Sequence, residues 1–92
     1  MFYIVNLKCV LHWVSWNDEY VVFDESSGQT HLLDPLRAFV LNFLSAGCYP
    51  FEVVLTELTA IPALADSLRL SELLKAILSE FGALGLVEVT AA

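Results

Sequence analysis

Basic side chains are nearly missing from this chain. Lys8, Arg37, Arg69 and Lys75 are the full set, against eleven carboxylates, for a formal net charge of −7 at pH 7. Nucleic-acid binding needs clustered Lys and Arg to displace phosphate counterions, so four scattered cations argue against DNA or RNA as a partner. They argue equally against an anionic membrane surface. Cysteine is scarce too: Cys9 and Cys48 have no CxxC spacing and no ligand cluster beside them, as expected of two reduced, mostly buried thiols. No apolar run approaches the ~20 residues of a membrane span. The start Met1-Phe2-Tyr3-Ile4-Val5 is apolar but lacks a basic flank and is cut short by Asn6 and Lys8, so no secretory signal is expected. A soluble, cytoplasmic protein follows as the expectation. Signatures of catalysis are missing as well. Cys48 has no histidine close in sequence, Ser26-Ser27-Gly28 is not a nucleophile elbow, and no Gly-rich phosphate loop occurs. Neither enzymatic activity nor a cofactor is expected.

What the chain does have is apolar surface. Of its 92 residues, 58% are hydrophobic and only 16% charged, a share of oily side chains above that of an ordinary small domain. The surplus either fills a generous core with scattered exposed leucines or forms a patch for a partner or for self-association, and the low charge favours the patch. One compact domain over residues 1–92 is the economical organisation.

The local pattern predicts an α+β fold. Val10 to Trp16, Tyr20 to Asp24 and Gln29 to Leu33 read as three antiparallel strands of a meander, rich in β-branched and aromatic residues. Asn17-Asp18 and Glu25-Ser26-Ser27-Gly28 read as the turns between them. Phe2 to Val5 either adds a short strand or lies along the sheet. Asp34 and Pro35 mark the clearest helix start, a capping carboxylate followed by proline at the first helical position. That helix runs to about Ser45 with Leu36, Val40, Phe43 and Leu44 as its buried stripe, and Gly47 stops it. Pro50 opens a second helix through about Thr59, burying Phe51, Val54, Leu55 and Leu58, and Pro62 blocks its continuation. A third begins near Ser67 and ends at Phe81-Gly82, with Leu70, Leu74, Ile77 and Phe81 at helical spacing, Leu73 and Leu78 at the flanks, and Glu72, Lys75 and Ser79 facing water. Leu86 to Val89 reads as a short final strand.

Several residues invite sharper readings. His31, on a strand edge, has three: a metal ligand, a structural hydrogen bond to the backbone or to Asp34, or a peptide contact. His12 is the one other histidine, on another strand of unknown register. Asp18, Glu19, Asp24 and Glu25 cluster at the hairpin ends, as solvated turns or as electrostatic steering for a basic partner. Trp13 and Trp16 are separated by an odd number, so a regular strand points them to opposite faces. Leu73, at the flank of the third helix, divides between core and groove.

The run Trp16, Asp18, Glu19, then Ser27-Gly28-Gln29-Thr30-His31-Leu32-Leu33-Asp34, with Leu84-Gly85-Leu86-Val87-Glu88 near the end, resembles the PqqD family of peptide chaperones. These are winged-helix-like domains also known as precursor-peptide recognition elements, and the subfamily of the HPr-rel-A system is the nearer likeness. The octet from Ser27 to Asp34 carries most of the specificity. The helical part is general leucine patterning. The resemblance implies a non-catalytic role: binding the leader of a ribosomally made precursor peptide and presenting it to a modifying enzyme related to HPr kinase. The implied site is the strand edge Gln29, Thr30, His31, Leu32 and Leu33, with a helical wall from Arg69, Leu70, Leu73, Leu74 and Ile77. An open edge supplies unpaired N–H and C=O groups, and the helix supplies pockets for alternate side chains. The apolar start Phe2-Tyr3-Ile4-Val5 departs from the family, and would fill the groove itself or hold a homodimer. Two other classes compete. One is a structural subunit that docks on a kinase-like enzyme through its apolar surface, and the other a winged-helix DNA-binding protein, which the missing basic recognition helix opposes.

Overall fold

The computed structural model describes residues 2–17, 19–61 and 69–90. Among these residues, six strands and three helices follow one another as β1 (Phe2–Val5), β2 (Leu11–Trp16), β3 (Glu19–Asp24), β4 (Gln29–Leu33), α1 (Pro35–Ser45), β5 (Tyr49–Pro50), α2 (Phe51–Thr59), α3 (Leu70–Ala83) and β6 (Val87–Thr90). The class is the expected α+β. The meander is present as an antiparallel sheet in the order β2-β3-β4. Phe2 to Val5, left undecided by the sequence, does not join it. β1 is the middle strand of a second antiparallel sheet, order β5-β1-β6, and so pairs with the C-terminal strand. The two-residue β5 carries too little pattern to be read from sequence. The expected start of α3 at Ser67 and the chain break at Pro62 lie outside the described residues, as does Asp18.

Alternation builds the meander. On β2, Leu11 and Trp13 are half-buried while His12, Val14 and Trp16 are exposed. On β3, Val22 and Asp24 are buried, and on β4 Leu33. Trp13 and Trp16 do point to opposite faces, Trp13 inward and Trp16 outward at 75% exposure. Asn17, at φ +49°, takes up the left-handed backbone needed in the β2–β3 connection, a conformation asparagine tolerates. Gly28, at φ +76°, does the same between β3 and β4 with no penalty from a Cβ.

Asp34 caps α1 as its sequence position predicts. Its carboxylate accepts the Arg37 backbone N–H at 2.8 Å, and Pro35 takes the first helical position. The Arg37 guanidinium reaches back to Asp34 and across to Glu80 of α3 at 3.1 Å, tying the start of one helix to the end of another. The stripe of α1 shifts slightly from expectation: Ala38, Val40, Leu41 and Leu44 are buried, and Leu36 and Phe43 only half so. The core joins that stripe to Val54 and Leu58 of α2 and to Leu70, Leu74, Ile77, Leu78 and Phe81 of α3. The α1 helix packs on β1, β3 and β4 alike, so it bridges both sheets.

Candidate functional site

The two borders of the meander are its chemically open parts. Among the described residues, no strand pairs with the outer side of β2 or of β4. Which backbone groups are free follows from the register. The Glu25 N–H donates to the Val10 carbonyl at 2.8 Å, one step beyond the Leu11–Asp24 pair. In an antiparallel ladder the bonded pairs alternate, so His12, Val14 and Trp16 bond toward β3 while Leu11, Trp13 and Ser15 turn N–H and C=O outward. The alternation carries across β3. Gln29, His31 and Leu33 are engaged by β3, and Thr30 and Leu32 present their backbone groups to the outside.

At the β4 border, Thr30 and Leu32 share the outer face of the sheet, with Leu32 68% exposed. His31 and Leu33 share the inner face. Leu33 is buried, and His31 is half-buried with its Nε2 enclosed and without a hydrogen-bond partner among the described residues. His12 lies opposite Phe23 and His31 opposite Val22, so the two histidines occupy opposite faces of one sheet and cannot share a metal. Instead His12 Nε2 meets Glu25 Oε2 at 2.8 Å. No group of three or more His, Cys, Asp or Glu capable of holding a metal occurs among the described residues.

The helical wall is only partly available. Leu70, Leu74 and Ile77 are buried in the core at 4%, 0% and 0% exposure and offer a ligand no surface as they stand. Arg69 and Leu73 are exposed, and Leu73 is the residue that the sequence left divided between core and groove. The helix packed against β4 is α1.

The acidic hairpin ends separate into different roles. Asp24 is buried and accepts bonds from the Val10 N–H, the Ser26 N–H and hydroxyl, and the Ser27 hydroxyl. The Ser26 hydroxyl is the chief cause that brings its carboxyl down to about 2, against the opposing effect of burial. This carboxylate folds the β3–β4 turn and holds the lead-in to β2. Burial, and then the neighbouring Asp24, push the Cys9 thiol up, which makes it a poor nucleophile. Glu19 is exposed, and Asp18 lies outside the described residues.

A second feature went unread in the sequence. Beside β2 lie two cavities, of about 410 and 380 Å³, that share Trp13 as a common wall. The first opens between Trp13, Ser15 and Tyr20 of the sheet and Pro35, Phe39 and Asn42 of α1. The second continues past Leu11 toward Leu44 and Gly47 at the end of α1, with Ile4 of β1 on its far side. Pro35, Ala38, Phe39 and Asn42 have the i, i+3, i+4, i+7 spacing of one helix face, which is the signal that could have revealed it. No family model, no curated protein and no solved structure matches this chain.

Proposed function

We propose that this chain is a non-catalytic peptide chaperone of the PqqD kind, which holds the leader of a ribosomally made precursor peptide in the cytoplasm and presents it to an HPr-kinase-related modifying enzyme. The leader adds as an extended strand along Gln29–Leu33. One observation carries this: the backbone groups of Thr30 and Leu32 face outward on a border unpaired among the described residues, with the Leu32 side chain exposed beside them. The sequence likeness in the octet Ser27 to Asp34 covers that same border. Arg69 and Leu73 are the exposed members of the expected helical wall, although the helix packed against β4 is α1. Calorimetric titration of the intact chain with synthetic leaders of the small open reading frames beside its gene tests the proposal. Saturable binding that the Leu32→Lys variant weakens supports it. Equal affinity in both forms removes the β4 border from consideration.

A second reading has its own observation. The outer face of the meander has no covering layer among the described residues, and Val14, Trp16, Phe23 and Leu32 are all exposed on it. A subunit that docks on a kinase-like partner would bury that face and leave both borders free. Protection of the Val14 and Trp16 side chains from covalent surface labelling in the complex, with the Thr30 and Leu32 amides still exchanging freely, would favour this role.

A further inference from the structure

We propose that the furrow between β2 and α1 is a second strand-accepting groove, which takes an uncharged, apolar, extended segment of about five residues from a partner polypeptide. Four features converge on that occupant. Leu11, Trp13 and Ser15 turn N–H and C=O groups that no described strand pairs with into or beside the furrow, and such groups are matched by an extended backbone, whereas a helix satisfies its own. The described residues lining both cavities include no charged side chain, in a chain whose net charge is −7, so charged side chains on the occupant find no partner among them. The shared wall at Trp13 divides the space into two compartments, which suits uncharged side chains on one face of a strand, two residues apart, the second beside Asn6 and Ser45. The α1 floor, eleven residues long, spans about 16 Å, the length of roughly five extended residues. The aromatic rings of Trp13, Tyr20 and Phe39 around the first cavity make it the compartment for the larger side chain.

A second copy of the chain fits less well, since it brings the same charge of −7. The furrow and the β4 border share no free backbone group, so loss of one leaves the other intact.

The test uses the intact chain carrying Trp16→Phe, which leaves Trp13 as its single tryptophan. The probe is a capped synthetic heptapeptide that alternates threonine with leucine and phenylalanine, and its backbone N-methylated form serves as control. Expected results are a change in Trp13 fluorescence on titration, and movement of the Trp13 indole and of the Ser15, Phe39 and Asn42 amide resonances. Asn42→Phe, a substitution at an exposed position that fills the first cavity without adding a tryptophan, and Ser15→Pro, which deletes one outward-facing donor without touching the β3 ladder, each weaken binding by about tenfold or more. Leu32→Lys leaves it unchanged, and the N-methylated probe does not bind. Perturbations that fall on Thr30 and Leu32 or on the outer face instead, undiminished affinity in both variants, or no response at millimolar peptide would each overturn the proposal. So would a concentration-dependent dimer, in sedimentation, that Asn42→Phe abolishes.

Discussion

The two borders of one small sheet are built differently. Along β2 the free backbone groups of Leu11, Trp13 and Ser15 lie beside a furrow floored by α1. Along β4 the groups left unpaired among the described residues belong to Thr30 and Leu32, whose side chains rise on the outer face. A bare edge offers hydrogen bonds that any extended chain can accept, so it gives affinity with little discrimination. Pockets beside the edge add shape, because only certain side chains fill them. The β4 border depends on a neighbouring helix for that second element, and three of the five residues expected to provide it are in the core. The β2 border has its compartments already in place.

The comparison can be broken at its common support. Phe81 is fully buried among the residues on which both borders rest, and Phe81→Ala should cost about 3–5 kcal/mol by leaving a cavity. Urea unfolding would measure the loss, and both kinds of binding should fail together. A sharper separation comes from Leu32→Lys, together with Leu73→Glu. Each should weaken leader binding by about 1–3 kcal/mol in calorimetry while the β2 furrow keeps its probe, because neither side chain lines that furrow. A smaller effect is expected from Asp34→Ala. It removes the cap of the helix that floors the furrow and should lower thermal stability by about 1 kcal/mol.

The mildest test uses pH. Asp24 ties the β3–β4 turn to the start of β2, so it serves both borders. Its carboxyl sits near 2 when folded against 3.8 ordinarily, so the unfolded chain binds its proton more readily. The stability it contributes is therefore full above the ordinary value and is lost as the pH falls through the folded one. The Val10 and Ser26 amide resonances, followed downward from about pH 5, should hold until the approach to pH 2 and then shift together.

Local signals made the meander, its turns and α1 legible. Alternation placed Thr30 and Leu32 on one face and His31 and Leu33 on the other, and the odd spacing separated Trp13 from Trp16. Asp34 and Pro35 fixed the start of α1. Each of these depends on neighbours within a few residues. The candidate wall was less legible, because helical spacing identifies a stripe but not which member of it stays at the surface. Leu73 and Leu74 are adjacent, yet one is 39% exposed and the other fully buried.

The α+β order, the alternation along the meander and the shortage of positive charge that argues against a nucleic-acid partner are all written in the sequence. Those properties follow from backbone periodicity, turn chemistry and composition, which act locally or sum over the chain. Folding in three dimensions set the rest: Phe2–Val5 pairs with Val87–Thr90, His12 and His31 face apart, and α1 runs beside β2 to leave a furrow divided at Trp13. Pairing partners and cavities arise from contacts between residues far apart in the chain, and no local pattern specifies which distant surfaces meet or where they fail to close.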